Sequence, residues 1–200
     1  MRERLKVVEG DITRLAVEVI VNGANNSLLG GGGVDGAIHD AAGPELRTEC
    51  KRHGGCATGD AKLTHGYKLR AKYVIHAVGP IWKGGGEGEA AVLASCYQRA
   101  LEIAAAHRFK TMAFPSISTG FYGYPLEEAC RIAIRTCAEF LKNSEWPQQV
   151  TFVGFGQHDY KVYRAALTEM LGGTRAPMEG KGGTRPPMSG KGGTRPPVKA

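Results

Sequence analysis

The stretch Gly30-Gly31-Gly32-Gly33-Val34-Asp35-Gly36-Ala37-Ile38-His39 decides how this chain folds and what it binds. Its four glycines run directly into a segment patterned as the first turns of a helix. Without side chains, the loop lets backbone N–H groups come close to a ligand. The helix behind it adds N–H donors that have no intrahelical acceptor, together with the positive end of the macrodipole. These features make a site for phosphate. Asp35 runs against that purpose, because a carboxylate beside a phosphate cradle repels the ligand. Chemistry would explain such a group, so the pattern predicts a diphosphate site with an acid or base in its rim. Asp35 and His39 lie four apart, on one helix face. A helix-capping Asp35 and a surface His39 are the structural alternatives, and spacing alone leaves them open.

Outward from this loop, strand-like and helix-like segments alternate. Leu5–Val8, Glu18–Asn22, Ala61–Thr64, Tyr73–Val78, Thr111–Pro115 and Gln149–Phe155 read as strands, with Val19-Ile20-Val21 buried on both faces. Helices are expected from the glycines to Ala42, from Pro44 onward, and over Glu89–His107, Pro125–Asn143 and His158–Leu171. That order predicts an α/β domain with helices on both faces of a mostly parallel sheet. Ligands in such folds sit at the carboxyl ends of the strands. Two loops follow strands there, Asn22–Val34 and Ser116–Gly123. The second mixes hydroxyls, glycines and aromatics, a composition that can hydrogen-bond phosphate and pack a ring on a sugar.

Gly31-x-Gly33-x-x-Gly36 formally matches the dinucleotide fingerprint. In that motif the glycines follow their strand at once, and an acidic residue ends the next strand ~20 residues on. Here the polar segment Asn22–Ser27 intervenes and no such acid is present, which argues against a dehydrogenase. No Gly-Lys-Ser/Thr occurs, which excludes a P-loop. Asp11, after the first strand, either caps a short turn or accepts from an exocyclic amine of a base. Phe155 either stacks on that base or belongs to the core. His53, His65, His76, His107 and His158 show no ligand spacing and receive no role.

Composition narrows the function classes. The chain has 200 residues, 42% of them hydrophobic, enough for one domain with a sizeable core. Of its net charge of +7, residues 172–200 carry +5, so the body is not a basic nucleic-acid binder. Those last residues repeat Gly-Gly-Thr-Arg-x-Pro-Met-x-Gly-Lys and hold too little apolar surface to offset the entropy of ordering. We therefore expect a domain over 1–171 and a disordered tail over 172–200, the tail being either a weak polyanion binder or a solvated segment with no partner. Five scattered cysteines without a C-x-x-C pair argue against a disulfide framework and a zinc site. The first residues lack an apolar signal core and no run reaches membrane-spanning length. A cytoplasmic monomer without metal or cofactor is expected.

Taken together, these segments resemble a macrodomain, most of all the MacroD-type hydrolases that include bacterial O-acetyl-ADP-ribose deacetylases. The matching pieces are Gly10–Thr13, Val19–Asn25, Gly30–His39 with Ala41–Pro44, His76–Pro80 and Phe114–Pro125. The resemblance implies a three-layer α/β/α fold that binds ADP-ribose. By position, Asp11 and Ile12 would hold the adenine, and Phe155 would stack on it. Gly32, Gly33, Val34 and the loop Ser118, Thr119, Gly120, Phe121 and Tyr122 would grip the diphosphate and distal ribose. Asn25 would contact that ribose, Asp35 would be the catalytic carboxylate, and His39 would support it. The family usually has Ala where this chain has Gly23. The implied activity is hydrolysis of esters on the distal ribose, an acetyl group or a Glu or Asp side chain of a modified protein. A non-catalytic ADP-ribose reader shares the same cradle, but it needs no carboxylate beside an anion.

Overall fold

The computed structural model describes residues 3–172. Apart from Gly172, the decapeptide repeats, and with them the predicted disordered, polyanion-binding tail, lie outside the described residues. Six strands form one sheet: β1 (Leu5–Glu9), β2 (Val19–Ala24), β3 (Ala61–His65), β4 (Tyr73–Val78), β5 (Thr111–Phe114) and β6 (Gln149–Gly154). Their order across the sheet is β1-β6-β5-β2-β4-β3. Neighbours run parallel except β3, which pairs antiparallel with β4 at one edge. The predicted mostly parallel sheet is thus present.

Helices α1 (Gly33–Ala42) and α2 (Pro44–Arg52) cover one face, and α3 (Glu89–Ala106), α4 (Leu126–Lys142) and α5 (Gln157–Leu171) cover the other. Alternation along β2 sets the layers. Val19 and Val21 join the core under α3, α4 and α5, while Ile20 and Ala24 join the core under α1 and α2. Both faces of a central parallel strand are thereby dry, which is why its apolar run is continuous rather than alternating. No helix among the described residues is long and apolar enough to cross a membrane. All five cysteines are buried and unpaired.

The structure corrects one boundary that matters for function. β2 continues through Asn22 to Ala24, paired with His76–Val78, where a polar loop was expected from Asn22. Asn22 stays in the strand because its side chain finds polar partners on β4 and α1. Gly23 is likewise held in the ladder, opposite Ala77.

Candidate functional site

The loop between β2 and α1 is shaped by its glycines. Gly33 opens α1 at φ +60°, a left-handed conformation that disfavours side chains. Gly36 lies so close to the loop that a β-carbon there would stand 2.5 Å from the Gly31 carbonyl oxygen. The N-cap, Gly32, offers no side-chain hydrogen bond, so the first amides of α1 are left for a ligand. In the other glycine-rich loop, Gly84–Gly88, two of the amides are taken up within the protein, as is that of Lys83 before it. The buried Glu89 carboxylate accepts from the N–H groups of Lys83, Gly85 and Glu87.

Two cavities meet at the carboxyl ends of the strands. One, of about 250 Å³, is lined by Asn25, Gly31, Gly32, Asp35, Gly79, Ser118, Phe121 and Tyr122 among others. The second, of about 320 Å³, is lined by Gly10, Asp11, Ile12, Thr13, Thr119, Phe155 and Asp159 among others. Gly33, Val34, Ser116 and Gly120 border both, which makes one cleft with two lobes and a waist of loop backbone. The cleft thus collects every predicted binding residue. Phe155 stands 84% exposed on the rim of the second lobe, free to stack, and so is not core. Phe121, 90% exposed, crosses to the opposite loop, where a β-carbon on Gly32 would stand 2.8 Å from its ring. Gly79, which the sequence reading gave no separate role, lets the Ser116–Tyr122 loop approach. A β-carbon there would lie 2.1 Å from Ser118 Oγ.

Asp11 does two things. Its Oδ1 accepts from Thr13 N (2.9 Å) and Thr13 Oγ1 (2.7 Å), capping the 3₁₀ turn Ile12–Arg14, and the same residue lines the second lobe. Asn25 is also tied into the loop. Its Nδ2 donates to the Gly30 carbonyl (3.0 Å), and its Oδ1 accepts from Ser27 N and Oγ. Gly31 runs between Asn25 and Asp35, close enough that a β-carbon would sit 3.2 Å from both Asn25 Nδ2 and Asp35 Oδ2.

Asp35 does not cap its helix. It points inward, 4% exposed, and Oδ1 accepts from Asn22 Nδ2 at 2.7 Å while Oδ2 has no protein partner. Burial pushes its pKa above the ordinary carboxylate range, opposed by the Asn22 hydrogen bond and by His39. His39 is not a surface residue either. Its Nε2 lies 3.6 Å from Asp35 Oδ1 and its ring packs behind Gly30. It faces a separate recess with Asp40 and Arg47, not the lobe that Asp35 lines. Burial lowers the pKa of His39, against the pull of Asp35. Burial thus moves the two groups in opposite directions, each disfavouring its charged form.

Beneath this pair lie residues that spacing gave no reason to choose. Asn22 Nδ2 also reaches His76 Nδ1 (3.1 Å), and His76 Nε2 reaches Thr64 Oγ1 (2.9 Å). His76, expected to have no role, is fully buried, and burial drops its pKa to about 3. His39, Cys50 and His76 bring possible metal-ligating atoms within 4.8 Å of one another. Both ring nitrogens of His76 are already engaged by Asn22 and Thr64, and burial pushes the Cys50 thiol up to about 11. His76 is therefore accounted for by its hydrogen bonds, whereas His39 Nε2 is buried without a hydrogen-bond partner.

Residues 21–133 match the Macro domain family model. The chain is 53% identical over 169 residues to a Macro domain-containing protein of Methanosarcina mazei, covering 84% of this chain and 90% of the relative. It is 50% identical over 173 residues to the O-acetyl-ADP-ribose deacetylase of Salmonella newport, covering 84% and 97%. Among solved structures, an Oceanobacillus iheyensis macrodomain mutant with ADPR superposes with a TM-score of 0.80 at 43% identity, covering 84% of this chain and 94% of that one.

Proposed function

This chain belongs to the macrodomain family, and we propose that it hydrolyses esters on the distal ribose of ADP-ribose, O-acetyl-ADP-ribose first among them. One observation carries this reading: a buried carboxylate, Asp35, with one oxygen free of protein partners, lines the lobe next to an anion-binding helix terminus. Pure binding would be better served without that charge.

The two lobes suit the two ends of the ligand. Adenine enters beside Asp11, Ile12 and Phe155, and the diphosphate lies on the amides at the waist, around Gly33, Val34 and Ser118–Gly120. The distal ribose then falls near Asn25 and Asp35. The choice of ADP-ribose as ligand is supported by the relatives' names and by the Oceanobacillus structure with ADPR.

In the reaction, Asp35 Oδ2 takes a proton from water as the water oxygen bonds to the acyl carbon. The tetrahedral intermediate collapses, the acyl–oxygen bond to the ribose breaks, and the proton passes from Asp35 to the departing ribose oxygen. A carboxylic acid and ADP-ribose result. A raised pKa suits a group that must take and return one proton, a role worth about 10²–10⁴ in rate. A Glu or Asp side chain of a modified protein presents the same ester, so mono-ADP-ribosylated proteins belong to the same substrate class.

Purified protein incubated with O-acetyl-ADP-ribose, and separately with a protein ADP-ribosylated on Glu or Asp, should release ADP-ribose, detected by chromatography and mass spectrometry. Tight ADP-ribose binding with no turnover of either substrate would make the chain a reader instead.

A further inference from the structure

We infer that Thr64 and His76 are positioning residues for Asp35, with the Thr64 hydroxyl selecting the ring nitrogen of His76 that carries the proton. The inference rests on Asp35 being the reacting group. Asn22, His76 and Thr64 occupy three neighbouring strands, β2, β4 and β3, on the face beneath α1 and α2. Asn22 and His76 are fully buried and Thr64 is 2% exposed, in a layer otherwise built from Ile20, Ile38, Leu46, Val74 and Val78. Burying polar groups there is unfavourable unless each is hydrogen-bonded, and apolar residues would fill the same space without that penalty.

The direction of every hydrogen bond follows from the carboxylate. Only an N–H can face Asp35 Oδ1, so the Asn22 amide presents Nδ2 to it at 2.7 Å. The same Nδ2 faces His76 Nδ1 at 3.1 Å, so Nδ1 must be the bare acceptor nitrogen. The proton then sits on Nε2, which donates to Thr64 Oγ1 at 2.9 Å. Thr64 directs its own hydrogen to the His65 carbonyl at 3.2 Å, leaving its oxygen free to accept. The chain therefore fits one protonation pattern, anchored at Thr64 and ending on the carboxylate, and it leaves Asn22 Oδ1 as a buried oxygen with no hydrogen-bond partner.

Without the hydroxyl, His76 Nε2–H keeps only Cys50 Sγ at 3.7 Å, a weak acceptor. The ring then gains by moving its proton to Nδ1. That proton would confront Asn22 Nδ2, and the amide must turn over to accept it with Oδ1. The turned amide puts an oxygen against Asp35 Oδ1, which displaces the carboxylate or forces it to bind a proton.

Two variants separate this effect from ordinary support of the fold. Thr64→Val keeps the shape and removes the hydroxyl, whereas Thr64→Ser keeps the hydroxyl and removes a buried methyl. Thr64→Val should lower kcat for O-acetyl-ADP-ribose by about ten- to a hundredfold, since a misplacement on the order of 1 Å suffices for the larger figure. Its affinity for ADP-ribose should not fall, because Thr64 does not line the cleft and any loss of the Asp35 charge acts toward tighter binding. Thr64→Ser should restore kcat even if it melts at a lower temperature. Nitrogen-15 NMR of the His76 ring should show the Nε2–H tautomer in the wild type and in Thr64→Ser, and a shift toward Nδ1–H in Thr64→Val.

Wild-type kcat in Thr64→Val, equal impairment of both variants, or an Nδ1–H ring in the wild type would each overturn the relay. Asp35→Asn run alongside distinguishes the failures. If it is inactive while Thr64→Val is fully active, the relay alone falls. If Asp35→Asn hydrolyses at the wild-type rate, the catalytic assignment falls and takes the relay with it.

Discussion

Replacing Asp35 by Asn removes one charge and almost nothing else. The new amide can point its oxygen at Asn22 Nδ2, keeping the 2.7 Å hydrogen bond, and its NH₂ then occupies the place of Oδ2 against Gly31. The relay under the site is left intact, so any change in rate belongs to the lost base. A general base is worth about 10²–10⁴ in rate, which corresponds to about 3–5 kcal/mol of barrier. Binding should move the other way. At a separation on the order of 8 Å and an effective dielectric near 40, one unit charge repels another by about 1 kcal/mol, or about fivefold in affinity. Asp35→Asn should therefore bind ADP-ribose about fivefold more tightly while losing at least about 99% of its ester hydrolysis.

Stability gives a third readout with a definite sign. Folding raises the pKa of Asp35, so the folded state holds this proton more tightly than the unfolded chain does. The group therefore makes stability fall as pH rises from the ordinary carboxylate value through the raised one, and the loss is complete above it. Asparagine has no such term. The variant should melt above the wild type near neutral pH, and the gap should close toward pH 3. Calorimetric titration with ADP-ribose, chromatographic turnover and melting curves across pH test all three. Undiminished turnover would refute the catalytic role, and binding weaker than the wild type would refute the electrostatic reasoning.

Gly33→Glu places a side chain in open space at a residue held at φ +60°, so it should fold with a penalty of roughly 1–2 kcal/mol and lose ADP-ribose through charge repulsion at the helix terminus. Normal ADP-ribose titration of this variant would place the diphosphate elsewhere. Asp11→Ala should weaken ADP-ribose by about 1–3 kcal/mol without weakening ribose-5-phosphate, and should lower the melting temperature because it also removes the cap on the Ile12 turn. Equal loss for both ligands would make Asp11 a cap alone. Gly23→Ala meets only Val34 Cγ1, at 3.7 Å, and should stabilise the domain by about 0.4–1 kcal/mol with unchanged kcat. A lower melting temperature would mean that the ladder at Gly23 tolerates no side chain.

What could be read from the chain divides along a physical line. The glycine run, the strands and helices and the two cleft loops are local patterns, the longest of them the 18 residues of α3. Asp35 was legible for the same reason, as a charge set inside an anion motif. The Asn22–His76–Thr64 seam is carried by sheet pairing between segments as many as 54 positions apart, which no spacing rule reaches. It did leave a trace. In Ile20-Val21-Asn22-Gly23-Ala24 and Val74-Ile75-His76-Ala77-Val78, the polar residue sits in phase with apolar neighbours on one face of a strand buried on both. A polar group so placed cannot face water, and it cannot stay unpaired without a penalty of several kcal/mol on alkane-like scales. Two such interruptions on different strands are best satisfied by each other, which puts the strands side by side with Asn22 opposite His76, the register observed. Asn22 then has an N–H to spare above the sheet, and the carboxylate that starts the next helix, Asp35, is what it holds.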